Sequence, residues 1–279
     1  PAAAAPAAAA PAAAAPAVAA PASAAPAAGR LRFNAQEKLA FCRHIKWALR
    51  AEPLAAELQV VEPADDTIYG AIGGSVVLCL FIRHVDALVV DTRALNVPAG
   101  SPLDTVARLQ NHMLCLNAAT SIGCGVRLLR PQHLDDAAAN SQAVLQLIWS
   151  LTKYELLRPL RPELREPLEH LMLPSEGDAA FRDASSEELL RRWVNGLIRA
   201  FLHSTPNQML VTPSFFVANF GPDLADSVAL AIVLAQAAPP KATVSFRKLR
   251  KRSTHERAAY VIDVARRAGV TDAFEIDPA

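Results

Sequence analysis

Apolar residues recur along most of this chain at helical spacing, and that periodicity constrains the fold more than any other feature. In 36–50, Phe41, Ile45, Ala48 and Leu49 stand at i, i+4, i+7 and i+8, one stripe of a helix. From Asp104 to Thr120, Val106, Leu109, Met113 and Leu116 repeat likewise, with Asp104 placed near the start, where it favours the helix dipole. Between 142 and 157 the series is Val144, Leu147, Ile148, Leu151 and Tyr154. Ser185 and Glu188 have capping-box spacing and open a helix whose apolar face is Leu189, Leu190, Trp193, Leu197 and Phe201. Two more helices are expected near 223–237 and 254–268. Alternating strand patterns are few. One segment stays open: after Gly73-Gly74-Ser75, the run Val76 to Ile82 is uniformly apolar, and periodicity does not separate a strand from a buried helix there.

The first 28 residues are 20 Ala, 6 Pro, Val18 and Ser23, with prolines at 1, 6, 11, 16, 21 and 26. A Pro every five residues removes a helix hydrogen bond in each turn and clashes with the carbonyl four residues back. This predicts a semi-extended, disordered linker over 1–29, reaching roughly 85 Å at about 3.1 Å per residue. The chain begins at Pro1, which suggests a fragment or a processed product. A second break lies at 159–184, where Pro159, Pro162, Pro167 and Pro174 interrupt the pattern among Glu163, Glu166, Glu169, Glu176 and Asp178. It reads as an interdomain linker with at most a short helix, between one domain at 30–158 and another at 185–279.

The net charge is +1. Nucleic-acid binders carry a basic excess, so no nucleic-acid partner is expected. No unbroken apolar run reaches 18 residues, and the Ala-rich start lacks the basic and Leu-rich parts of a signal peptide. Cys42, Cys79, Cys115 and Cys124 have apolar neighbours such as Phe41, Leu78, Leu80, Leu114 and Leu116, which suits buried thiols in a reducing compartment. There is no Cys-x-x-Cys pair, and no metal or cofactor is expected.

Enzyme signatures are weak. Cys42 and His44 point to different faces of a helix. The glycines at 70, 73 and 74 lack the Lys-Ser/Thr of a phosphate loop. His112 and Cys115, at i and i+3, form the best nucleophile pair, and ordinary packing explains them as well. The densest basic run, Arg247-Lys248 and Arg250-Lys251-Arg252, suits an acidic partner such as a phosphoinositide, or a solvated loop.

Particular segments carry a family resemblance. Glu37-Lys38-Leu39-Ala40-Phe41 with Ile45 and Ala48-Leu49 resembles the first helix of a fimbrin (plastin) actin-binding domain. Ile68-Tyr69, Ala71-Ile72-Gly73, Val76-Val77-Leu78-Cys79, and then Asp91, Arg93, Ala94, Leu95 and Asn96 continue the match. So do Gln110-Asn111, Leu116-Asn117-Ala118-Ala119, Ser121-Ile122-Gly123-Cys124 and the stretch Val144 to Trp149. In the second half, Glu187 to Asn195, Val217 to Phe220, Asp223 to Ser227 and Gln236 to Pro239 are similar to family segments in the same order. The family pattern has Trp where His44 stands and Gly-Asp-Gly where Gly73-Gly74-Ser75 stands.

The resemblance implies an all-α fold, two calponin-homology helical bundles in tandem, with 76–82 a buried helix. It implies that the second domain, 185–279, lacks its last helix. It further implies F-actin binding by a monomer in the cytoplasm and cytoskeleton, within a filament cross-linking protein. The competing target is a microtubule or an axonemal complex, since one fold serves several partners. Filament contacts are expected on the first helix and at the end of the first domain. Trp47 and Tyr154 would be anchors, with Lys46, Arg50, Lys153 and Arg158 as charges, followed by Arg191 and Arg192 on the helix that opens the second domain.

Overall fold

The computed structural model describes residues 32–55, 67–98, 101–160, 166–204, 211–212, 214–237 and 243–270. All of them lie in one unit, Arg32–Ala279. The linker expected over 1–29, and any feature after 270, lie outside the described residues. Among the described residues all regular structure is helical.

The first bundle is built on α1 (Ala35–Ala48), α2 (Thr67–Ile72), α3 (Val76–Val85), α4 (Thr105–Ser121), α5 (Pro131–Asp135) and α6 (Ser141–Leu156). α1 starts at a reciprocal capping box: Asn34 Oδ1 accepts from Glu37 N–H at 2.9 Å, and Glu37 Oε2 accepts from Asn34 N–H at 2.8 Å. The open segment 76–82 is helix. Val76 through Ile82 and Val85 are all buried, so α3 is apolar around its whole circumference. That is why no stripe could be read there.

α4 corrects the sequence reading of its face. Val106 is 65% exposed and Met113 51%, while Asn111, His112, Cys115, Ala118 and Ala119 are buried. Of the large apolar stripe, Val106, Leu109 and Met113 point outward and Leu116 packs against the core, while the small and polar residues pack inward. α1 and α6 run parallel: Phe33 N–H donates to Gln142 Oε1 at one end, Phe41 lies 6.1 Å from Trp149 midway, and His44 meets Glu155 at the other end.

The stretch read as a linker is partly structured. It holds a 3-10 turn at Glu166–Leu171 and the short helix α7 (Asp178–Asp183). Leu171 and Phe181 bury against Leu189, with Trp193 packed alongside, in a small core of their own. The second bundle comprises α8 (Ser186–Ser204), α9 (Val228–Ala237), α10 (Phe246–Arg250) and α11 (Thr254–Arg267) around Ile198, Phe201, Ile232, Leu249 and Val264. Ser185 Oγ accepts from Glu188 N–H at 3.1 Å, as the capping spacing predicts. Gly269, at φ +88°, ends α11 with Val270 N–H bonded to Ala265 C=O at 3.0 Å and its own N–H to Arg266 C=O.

Both bundles repeat one unusual detail. Ser75 (φ 54°) precedes α3 and Ser227 (φ 61°) precedes α9, each in the left-handed region, each buried, each at the entry to its bundle's most apolar helix.

Candidate functional site

The parallel packing of α1 and α6 brings their C-terminal turns together. At that end stand Lys46 and Trp47 from α1, Arg50 just after its C-cap, and Lys153 and Tyr154 from α6. Arg158 follows in the 3-10 turn Arg158–Leu160. Cations at helix C-termini are favoured by the negative end of the helix dipole, so the fold itself gathers positive charge here.

The turns are pinned by Glu155. Its Oε2 lies 2.8 Å from Nε2 of the buried His44, and its Oε1 lies 3.1 Å from Nε2 of His84 on α3. Burial raises the Glu155 pKa, but the two imidazoles outweigh it, and the carboxyl is held below its ordinary value. One carboxylate thus joins three helices beneath the surface.

Above it lies a stack. The Trp47 ring is 6.3 Å from the His44 ring at 20°, and the Arg50 guanidinium sits 4.5 Å from the Trp47 centroid. Arg50 Nη1 also donates to Trp47 C=O at 2.6 Å. Trp47 is nevertheless 42% exposed. It packs over His44 and still presents area to a partner, so the two roles do not compete.

The remaining candidates differ in freedom. Lys153 pairs with Glu187 on α8, and Ser186 Oγ donates to Leu160 C=O at 3.0 Å, so this corner also holds the start of the second domain. Tyr154 is half-buried against the first core. Arg158 is exposed. Arg191 pairs with Glu188. Arg192 is mostly buried: it donates to Glu176 Oε1 and to Glu188 Oε1, each at 3.0 Å, and to Leu171 C=O at 3.4 Å. It clamps the structured linker onto α8. Arg191 and Arg192 are therefore not part of the cluster at the ends of α1 and α6.

A polar cluster inside the first bundle was only half visible in the sequence. Ser75 Oγ lies 2.6 Å from His112 Nδ1, and His112 Nε2 lies 3.7 Å from Asp135 Oδ1. The residue types are those of a hydrolytic triad, but Ser75 and His112 have no exposed surface. A nucleophile that no substrate reaches does no chemistry. Cys115 is equally enclosed, and the neighbouring Cys79 thiol together with burial pushes its thiol pKa up, away from the reactive thiolate. The cluster joins α3, α4 and α5. Ser75 and Asp135 carry no local motif, so only the tertiary fold reveals them.

The basic run expected to be a solvated loop contains the single-turn helix α10. Phe246 and Leu249 point inward, and Arg247, Lys248, Arg250 and Lys251 are exposed.

No protein-family model matches the chain. Human plastin-1 is 30% identical over 208 residues, 74% of this chain and 30% of the relative. Fimbrin-3 of Arabidopsis thaliana is 31% identical over 206 residues, 74% of this chain and 27% of the relative. The chain thus spans about a third of the length of the curated relatives it matches. Among solved structures, the actin-crosslinking core of Schizosaccharomyces pombe fimbrin superposes with a TM-score of 0.68 at 19% identity, covering 88% of this chain and 46% of that one. The two-bundle fold is that of the fimbrin core, a tandem of calponin-homology domains, and the homologues of this chain are the plastins and fimbrins.

Proposed function

We propose that this tandem binds actin filaments, as one binding unit of a fimbrin-like cross-linking protein of the cytoplasm and cytoskeleton. The observation that carries the reading is the convergence of Lys46, Trp47 and Arg50 with Lys153, Tyr154 and Arg158 at one end of the α1–α6 pair. It offers an exposed aromatic anchor ringed by cations, the arrangement that supplies binding energy at protein interfaces. The cations complement an acidic filament surface. Arg192 is secondary in this reading, because it is mostly buried between Glu176 and Glu188, and Arg191 because it lies on α8 and not at the ends of α1 and α6.

Co-sedimentation with filamentous actin is the direct test. The folded chain is expected in the pellet with saturable binding. Folded chain left in the supernatant at high filament concentration overturns the reading, and pelleting with microtubules instead would assign it to another polymer. We expect a single tandem to bind as a monomer, leaving filaments unbundled in low-speed spins. The exposed cations of the 247–252 run form a second, purely electrostatic surface suited to a phosphoinositide headgroup, which vesicle co-sedimentation with and without that lipid would measure.

A further inference from the structure

The sequence through the second bundle's basic run reads Arg247-Lys248-Leu249-Arg250-Lys251-Arg252-Ser253-Thr254. We propose that Ser253 is a phosphorylation site for a basophilic protein kinase, and that its phosphate masks the basic surface formed by α10. This inference does not depend on which polymer the tandem binds.

Three observations support it. The first is charge pattern. Kinases discriminate substrates largely by charge around the acceptor, and an arginine three residues upstream, with further cations before it, suits an acidic substrate cleft. Ser253 has Arg250 at that position, Lys251 and Arg252 between, and Arg247 and Lys248 beyond. The same spacing recurs at Arg182 and Ser185, but Asp183, Glu187 and Glu188 crowd that serine with negative charge.

The second is access. Ser253 and Thr254 are exposed, as are Arg247, Lys248, Arg250 and Lys251. None of these four cations makes an ion pair within the described residues. They stand ready for an incoming acidic surface.

The third is local backbone. A kinase cleft takes its substrate extended, and Ser253 is already extended at φ −63°, ψ 166°. Upstream, α10 is only one turn, held by the buried Phe246 and Leu249. Unwinding 250–252 leaves both anchors in place. It gives up the stacking of Arg252 on Tyr260, at 4.8 Å, and the surface bonds between Ser253 and Glu256. Exposed bonds of that kind are individually weak, because water replaces them readily.

The step is phosphoryl transfer from ATP. Ser253 Oγ forms a bond to the γ-phosphorus as the bond to the β–γ bridging oxygen breaks. ADP leaves, and the hydroxyl proton passes to the kinase's carboxylate base. The product carries a charge of roughly −1.5 to −2. It sits beside five cations and at the positive end of α11, which favours it electrostatically. The phosphate draws Arg250 and Arg252 to itself and repels Glu256, whose carboxylate now accepts from Ser253 N–H at 2.8 Å. The local charge from 247 to 253 falls from +5 to roughly +3.

The test uses the 279-residue chain, labelled ATP and a kinase that prefers arginine at the third upstream position. Label approaching one phosphate per chain is expected at Ser253 by mass spectrometry. Ser253→Ala should cut incorporation more than tenfold and Arg250→Ala several-fold, both with unchanged helicity by circular dichroism. The phosphorylated chain should elute from heparin resin at lower salt than the unmodified one, as should a Lys248→Ala/Lys251→Ala variant. Label that persists in Ser253→Ala, or maps to Ser185 or Thr254, overturns the assignment. A peptide of residues 245–256 that is phosphorylated while the folded chain is not overturns it as well. Unchanged elution after full modification overturns the masking.

Discussion

Asn111 has no exposed surface, and its side chain holds together three segments that the helices alone would leave apart. It donates to Gly74 C=O at 3.0 Å and to Asn96 C=O at 2.8 Å, and accepts from Asn96 N–H at 2.9 Å. Replacing it strands three partly buried backbone groups, so Asn111→Ala should cost about 2 kcal/mol, read as a lower urea midpoint. Its neighbour His112 gives a pH dependence. Burial favours the neutral imidazole and lowers its pKa from 6.5, against the pull of Asp135 and with the repulsion of Arg108. Below pH 6.5 the unfolded chain takes up a proton that the folded chain resists, so this contribution to stability is lost as pH falls from 6.5 toward the lowered native value. The urea midpoint should therefore drop between pH 7 and pH 5.5, and His112→Gln should flatten that part of the curve. Glu155 acts in a separate window. Its pKa is lowered, so its contribution is present above 4.5 and fades at more acidic pH. At this scale little was legible in advance. His112 stood out only as half of a nucleophile pair, because partners 37 residues away leave no local pattern.

At the scale of single helices, the sequence was legible where one face is apolar and the other polar. The ends of α1, α6 and α11 fall within about two residues of their expected positions, and Asn34 and Ser253 cap α1 and α11. Periodicity left α3 open, because Val76 through Ile82 are buried on every side, and only the family resemblance made it a helix; the pattern misjudged α4, whose inward face is built from Asn, His, Cys and Ala. Small residues let backbones approach closely, and a pattern rule that weighs only large hydrophobes overlooks them. It also missed short helices such as α2 and α5, which are too brief to show a period. The α1–α6 end makes the functional reading testable. Trp47→Ala should weaken filament binding by about 2 kcal/mol, measured by co-sedimentation, with helicity unchanged. Lys153→Glu should weaken it about tenfold, but it also breaks the pair with Glu187. The exchange Lys153→Glu/Glu187→Lys restores that pair while leaving the α6 charge reversed. If Lys153 faces the filament, the double variant regains thermal stability without regaining binding.

For the whole molecule, an interruption of the helical period near 159–184 was foreseeable from composition, and the tandem only from the family resemblance. The clamp that ties residues 171–181 to α8 was foreseeable from neither. Arg192 bonds to Glu176 across 16 residues, and Leu171 and Phe181 form a core with α8. Arg192→Ala should free this segment: amide exchange over 166–183 is expected to rise while the first bundle keeps its protection.

The two left-handed serines show how a duplicated architecture diverges in its energetics. Both occupy a backbone region that costs a non-glycine residue about 1 kcal/mol, and glycine would relieve that cost. In the first copy the serine hydroxyl is bound to His112; in the second it has no such histidine partner among the described residues. Ser227→Gly is therefore expected to raise the melting temperature, and Ser75→Gly to lower it. The same substitution at corresponding points of two related bundles would then have opposite signs, because one copy has put its strained residue to structural use.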